Sequence, residues 1–122
     1  LAGHLLEICR GSNVSAEVDF SLVPMINEAL PHVQAGIFTG ASTRNWAGYG
    51  KDVHLTGNVL PEKSWQQQMM TDPQTSGGLL VACSPETEQE VLGLFHNSGF
   101  EDAKTIGELV PVTNTPCIKV TI

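Results

Sequence analysis

The sequence predicts an α+β fold, a mixed β-sheet covered by helices. Short apolar or alternating runs at Val14–Phe20, Leu79–Cys83, Ala103–Val110 and Cys117–Ile122 have the length and pattern of strands. Helically spaced segments lie between them in the order helix, strand, helix, long loop, strand, helix, strand, strand, which is a mixed arrangement. The 122 residues, 41% of them hydrophobic, suffice for one domain with its own core and call for neither disulfide nor metal.

Taken in order, Leu1, Leu5, Ile8 and Cys9 follow the i, i+4, i+7, i+8 spacing of one helical face, and Gly11-Ser12-Asn13 ends that helix. No capping residue precedes Leu1, so the element reads as a helix without its beginning and the chain as an excised piece. His4 is a packing or capping residue: His32, His54 and His96 are scattered, and no pair has metal-site spacing. Val14–Phe20 alternates apolar and polar, as a half-buried strand does, and Ser21 is placed to cap the next element. Pro24–Val33 suits a short helix contributing core residues, with Pro31 and Gly36 breaking or ending it.

Gly36–Gly57 is rich in Gly, Ser, Thr and Asn, so it reads as a long loop or a loop with one short helix. Within it, Arg44 between Thr43 and Asn45 could offer a planar fork to phosphate or carboxylate. Equally, Arg44 could form an ion pair while Trp46 packs as an anchor. Lys51–Met70 is weakly patterned. Val53–Leu55 could be a short strand, and Trp65, Met69 and Met70 cover the core.

Thr71-Asp72-Pro73-Gln74-Thr75-Ser76-Gly77-Gly78 is the most informative stretch, a loop feeding the apolar run Leu79–Cys83, which reads as a buried strand. Asp72-Pro73 is a turn signal. Gly77 and Gly78 allow positive φ or close approach, and Gln74, Thr75 and Ser76 add one amide and two hydroxyls as donors. Such a cluster could bind an anion, or it could be a tight turn satisfying its own backbone. It is neither a Walker loop nor a dinucleotide fingerprint. Ser84-Pro85-Glu86 opens the clearest helix, with Val91, Leu92 and Phe95 as its apolar face and Ser98-Gly99 as its end. The last two strands come after it, with Pro111–Pro116 as the turn between them.

A net charge of -7 argues against nucleic-acid or anionic-membrane partners, and no run is long enough to span a membrane. Cys9, Cys83 and Cys117 are odd in number and set in apolar runs, which suits reduced, buried thiols of a cytoplasmic protein.

The string Asp72-Pro-Gln-Thr-Ser-Gly-Gly-Leu-Leu resembles the C-terminal signature of the selenophosphate synthetase (selenide, water dikinase) family, within the aminoimidazole ribonucleotide synthetase superfamily. Gly3-His4-Leu5-Leu6-Glu7, Thr43-Arg44-Asn45-Trp46 and Ile106-Gly107-Glu108 fit the same family in the same order. The resemblance implies that superfamily's C-terminal fold, and it implies that the chain is the C-terminal fragment of a longer two-domain phosphotransferase. That enzyme makes selenophosphate from selenide, ATP and water, with release of AMP and phosphate. ATP and Mg²⁺ would be held mainly by the N-terminal domain, which carries the reactive Cys or selenocysteine, an essential Lys and the metal-binding Asp residues. The fragment would then have no catalytic or metal residue of its own and no activity alone. Asp72, Gln74, Thr75, Ser76, Gly77 and Gly78 would border the nucleotide site, Asp72 as a brace, with Thr43, Arg44 and Asn45 as secondary candidates. Dimerisation would run through the N-terminal half, leaving the fragment a monomer. Two alternatives stay open: a thiamine monophosphate kinase-like or aminoimidazole ribonucleotide synthetase-like relative, and a non-catalytic partner-binding domain.

Overall fold

In the computed structural model, which describes residues 1–57 and 64–122, the apolar spacing of the first residues forms helix α1, Ala2–Ser12. It buries Ala2, Leu5, Leu6 and Cys9, and Asn13 ends it in the left-handed region at φ 52. The alternating stretch after it forms β1, Val14–Asp19. The turn beyond β1 is capped by Asp19, whose carboxylate accepts the Ser21 N–H at 2.9 Å, so Asp19 holds the capping role expected of Ser21.

Helix α2 is short, Ala29–Gln34. Pro31 lies in its first turn, where no intrahelical N–H bond is lost, so it does not break the helix. Gly36, at φ 84, lies just beyond its end. Of the two readings of Gly36–Gly57, a long loop or a loop with one short helix, the second holds: Gly40–Tyr49 is helix α3, followed by β2, Val53–Thr56. The weakly patterned Lys51–Met70 stretch lies partly outside the described residues, and its end is helix α4, Trp65–Thr71. Trp65 packs edge-on against Phe20, with ring centres 5.5 Å apart.

Leu79–Cys83 is not a strand. It pairs with no strand among the described residues, and Leu79 is 82% exposed. The reason is competition for sheet positions: the interior slot beside β1 is filled by the C-terminal run, which forms β4, Ile118–Thr121. Helix α5, Glu88–Asn97, comes after a 3-10 turn opened by Ser84 and Pro85, yet buries no residue. Of its expected apolar face, Val91, Leu92 and Phe95 are only half-buried. β3, Gly107–Pro111, starts later than the expected Ala103. The thiols also differ from expectation: Cys9 is buried, Cys117 partly so and Cys83 exposed.

The four strands form one mixed sheet in the order β2-β4-β1-β3, with β1 antiparallel to β3 and parallel to β4, and β2 parallel to β4. The register lines up Val53, Ile118, Ala16 and Leu109 in one row, and Leu55, Val120, Val18 and Gly107 in the next. Helices α1 and α4 add Leu6 and Met70 to this core. The opposite face carries His54, Lys119, Glu17 and Glu108 in register, with Lys119 bonded to Glu17 at 3.2 Å. Helices thus cover one face and water the other, the usual arrangement of an α+β sheet.

Candidate functional site

The loop that dominates the sequence is held at its first residue by α3. Thr39 caps α3 by accepting the Ser42 N–H at 3.3 Å. Asp72, the residue after α4, is extended at φ -61 and ψ 131, the conformation favoured before a proline. There its Oδ1 accepts the Ser42 hydroxyl at 3.2 Å and the Thr39 hydroxyl at 3.3 Å. Each hydroxyl has one proton, and both point to the carboxylate, which makes these charge-assisted bonds. Ser42 is fully buried. A second tie runs alongside: Asn45 Nδ2 donates to the Thr71 carbonyl at 2.9 Å, while the Thr71 hydroxyl donates to the Gln67 carbonyl at 2.9 Å. The first bond occupies a carbonyl that the last turn of a helix leaves unpaired, and the second is a threonine bonding back to the carbonyl four residues before it.

The remainder of the loop faces solvent. Gln74, Thr75, Ser76, Gly77 and Gly78 are all exposed. The left-handed conformation anticipated for the glycines falls on Ser76, at φ 60. A Cβ on Gly77 would meet Gln74 Cβ at 3.2 Å, so Gly77 serves close approach, whereas a Cβ on Gly78 would meet open space. The loop therefore presents one amide, two hydroxyls and backbone N–H groups beside a fixed carboxylate.

Of the secondary candidates, Asn45 is tied to α4, while Thr43 and Arg44 are exposed on α3. Arg44 forms no ion pair among the described residues. Trp46 packs against the core, as an anchor would, and Gly50 has no room for a Cβ because the Trp46 ring lies 2.6 Å from where it would stand. The start of α1 reaches the same end of the domain, where a Cβ on Gly3 would lie 3.3 Å from the Tyr49 hydroxyl. Burial pushes the Tyr49 phenol up, and a bond to the Gly3 backbone opposes that in part. Three of the four family-like stretches thus converge at one end of the domain. The fourth, Ile106-Gly107-Glu108, lies in the sheet, where the Glu17 carbonyl oxygen leaves no space for a Cβ on Gly107.

Sequence reasoning missed Thr39 and Ser42. The available signal was the pair of hydroxyl residues three apart at the start of α3, a helix-capping pattern. Asp72 Oδ1 takes two hydroxyls, and among the described residues no group of three or more His, Cys, Asp or Glu could hold a metal ion. Among the same residues, no helix is long and apolar enough to cross a membrane.

Residues 1–116 match the family described as AIR synthase related protein, C-terminal domain. The chain is 50% identical over 109 residues to the selenide, water dikinase of Dechloromonas aromatica (strain RCB), which covers 89% of this chain and 30% of that protein. It is 49% identical over 110 residues to the protein of the same name from Burkholderia ambifaria (strain MC40-6), covering 90% of this chain and 30% of the relative. A third selenide, water dikinase, from Burkholderia pseudomallei (strain K96243), is 50% identical over 110 residues, again 90% of this chain and 30% of the relative. The chain spans less than a third of the length of these curated relatives.

Proposed function

Because the chain belongs to the AIR synthase related C-terminal domain family, we propose that it is the C-terminal domain of a selenide, water dikinase. That enzyme converts selenide, ATP and water to selenophosphate, AMP and phosphate in the cytoplasm. The observation that carries this reading is the identity of about half the aligned residues with relatives that all bear that one name. The shared name favours the selenium branch over the thiamine monophosphate kinase-like alternative.

Phosphoryl transfer requires neutralisation of the nucleotide's charge, by Mg²⁺ and by Lys or Arg. A domain with six Lys and Arg against thirteen Asp and Glu supplies little of that neutralisation by itself. Its part is to close the nucleotide site formed with an N-terminal domain, its partner within the same polypeptide. In that role Asp72, fixed by Thr39 and Ser42, sets where the loop leaves α4. Thr75, Ser76 and the Gly77-Gly78 backbone donate toward the nucleotide, and Arg44 stands at the edge of the site.

The test joins this chain to the portion of the Dechloromonas aromatica relative that it does not span, and follows selenide-dependent release of AMP from ATP. The chimera is expected to turn over. Gly77→Val in it should lower kcat/KM at least tenfold, about 1.4 kcal/mol in the barrier, while stability changes by less than about 1 kcal/mol. A folded chimera that releases no AMP overturns the reading, and unchanged turnover in Gly77→Val removes the loop from the site.

A further inference from the structure

Helix α4 ends without a backbone cap. Its last residue, Thr71, is followed by Asp72 in the extended conformation and then by Pro73, which has no N–H. The left-handed residue and returning N–H groups that finish many helices are therefore missing at this end. In α1, α2, α3 and α5 the N–H of the capping residue bonds back to a carbonyl of the last turn. Asp72 donates no such bond among the described residues.

The partner for this end comes from α3. Asn45 Nδ2 donates to the Thr71 carbonyl at 2.9 Å, across 26 residues of sequence. That carbonyl shares a rigid peptide plane with the N–H of Asp72, so the bond sets how the plane is turned as the chain leaves the helix. One turn earlier on α3, the Ser42 hydroxyl donates to the Asp72 carboxylate at 3.2 Å. The peptide entering Asp72 and the side chain leaving it are thus each tied to α3, by residues that share one face of that helix. Pro73 passes the orientation on, because its ring fixes the next φ, and Gln74–Gly78 follow directly. Arg44 points elsewhere. Successive residues of a helix do not share a face, and Arg44 lies over the first turn of α3, its Nη1 3.5 Å from where a Cβ on Gly40 would stand.

We infer that Asn45 is a positioning residue for the reaction, acting on the nucleotide through the Asp72–Gly78 loop and not by contact. This rests on the reading of that loop as a border of the nucleotide site. It divides the Thr43-Arg44-Asn45-Trp46 segment by role. Arg44 faces solution at the edge of the site, Asn45 replaces a missing helix cap, and Trp46 packs against the core.

Amide NMR order parameters of the 122-residue chain report on the loop whether or not an enzyme is assembled. Asn45→Ala and the isosteric Asn45→Asp, whose carboxylate has no proton to donate, should both lower the order parameters of Gln74–Gly78 and leave those of β1 unchanged. In the chimera with the Dechloromonas aromatica portion, Asn45→Ala should lower kcat/KM about tenfold. In the Gly77→Val chimera, whose loop is already disabled, the same change should cost less than about twofold, since residues acting through one element are not additive. Loop order parameters that neither variant moves overturn the inference. So does an equal loss of kcat/KM in both backgrounds, which would place the effect of Asn45 outside the loop. A parent chimera without turnover overturns the nucleotide-site reading instead, and the order parameters then decide alone whether Asn45 sets the loop.

Discussion

At the scale of single residues, Asp72 is the residue whose environment specifies its role most fully. Its carboxylate holds two hydroxyl protons, and one of them belongs to the fully buried Ser42. Removing the acceptor leaves the buried Ser42 hydroxyl only Thr39 Oγ1, 3.2 Å away, as a partner, and the lost bonds cost about 0.5–1.5 kcal/mol. Asp72→Ala is therefore expected to lower unfolding stability by that amount in urea titrations. Asp72→Asn, which keeps a carbonyl oxygen for the same hydroxyls, should lose less. Equal losses in the two variants would mean that charge, and not the acceptor itself, holds the loop. Gly107 makes the complementary case, because what matters there is missing volume. A Cβ would press on the Glu17 carbonyl and stand 2.9 Å from Val18 Cα, so β3 would have to move off β1. Gly107→Ala should destabilise the domain by about 1–3 kcal/mol, as overpacking does. A melting temperature equal to the parent's would show that the edge strand yields freely. The Gly of Ile106-Gly107-Glu108 is thereby explained by packing.

At the scale of elements, legibility in the sequence tracked how directly side-chain pattern reports burial. α1, β1 and β2 were readable because one face of each lies on the core, so spacing and burial coincide. α3 was legible only as one of two readings, a short helix within a loop, because its Gly, Ser, Thr and Asn content reflects its polar ties to α4. α4 was hidden by Gln66, Gln67 and Gln68, a residue type that belongs at the surface, although all three are buried. The Oε1 atoms of Gln66 and Gln68 have no hydrogen-bond partner among the described residues. Leu79–Cys83 failed for the opposite reason. Its pattern is that of a strand, but strand pairing is a long-range choice, and β4 holds the interior position between β1 and β2. Local pattern cannot decide between two apolar runs competing for one slot. For the candidate site the loop itself was legible, as was a bracing role for Asp72. Its partners Thr39 and Ser42 were not, since they lie 33 and 30 residues away and only the packing of α3 on α4 brings them in.

At the scale of the whole molecule, the buried ionisable groups on the core side of the sheet decide how stability responds to pH. Burial pushes the Cys9 thiol up, with the neighbouring Cys117 adding to the effect, and burial pushes the Tyr49 phenol up as well. Both groups are neutral when protonated, so the folded chain holds these protons to higher pH than the unfolded chain does. The stability linked to them is fully present below the unfolded values, about 8.5 for a thiol and about 10 for a phenol. It is lost as pH rises from there through the folded values. Urea unfolding between neutral pH and about pH 10.5 should therefore show falling stability that begins above about 8.5, the unfolded thiol value. Cys9→Ala removes the first of the two groups, so its decline should start later, near the phenol range. A parent protein whose stability is flat to the end of that range would mean that neither proton is held by the fold. An onset near pH 10 in both the parent and Cys9→Ala would assign the decline to Tyr49 alone, at the junction of α3 with α1.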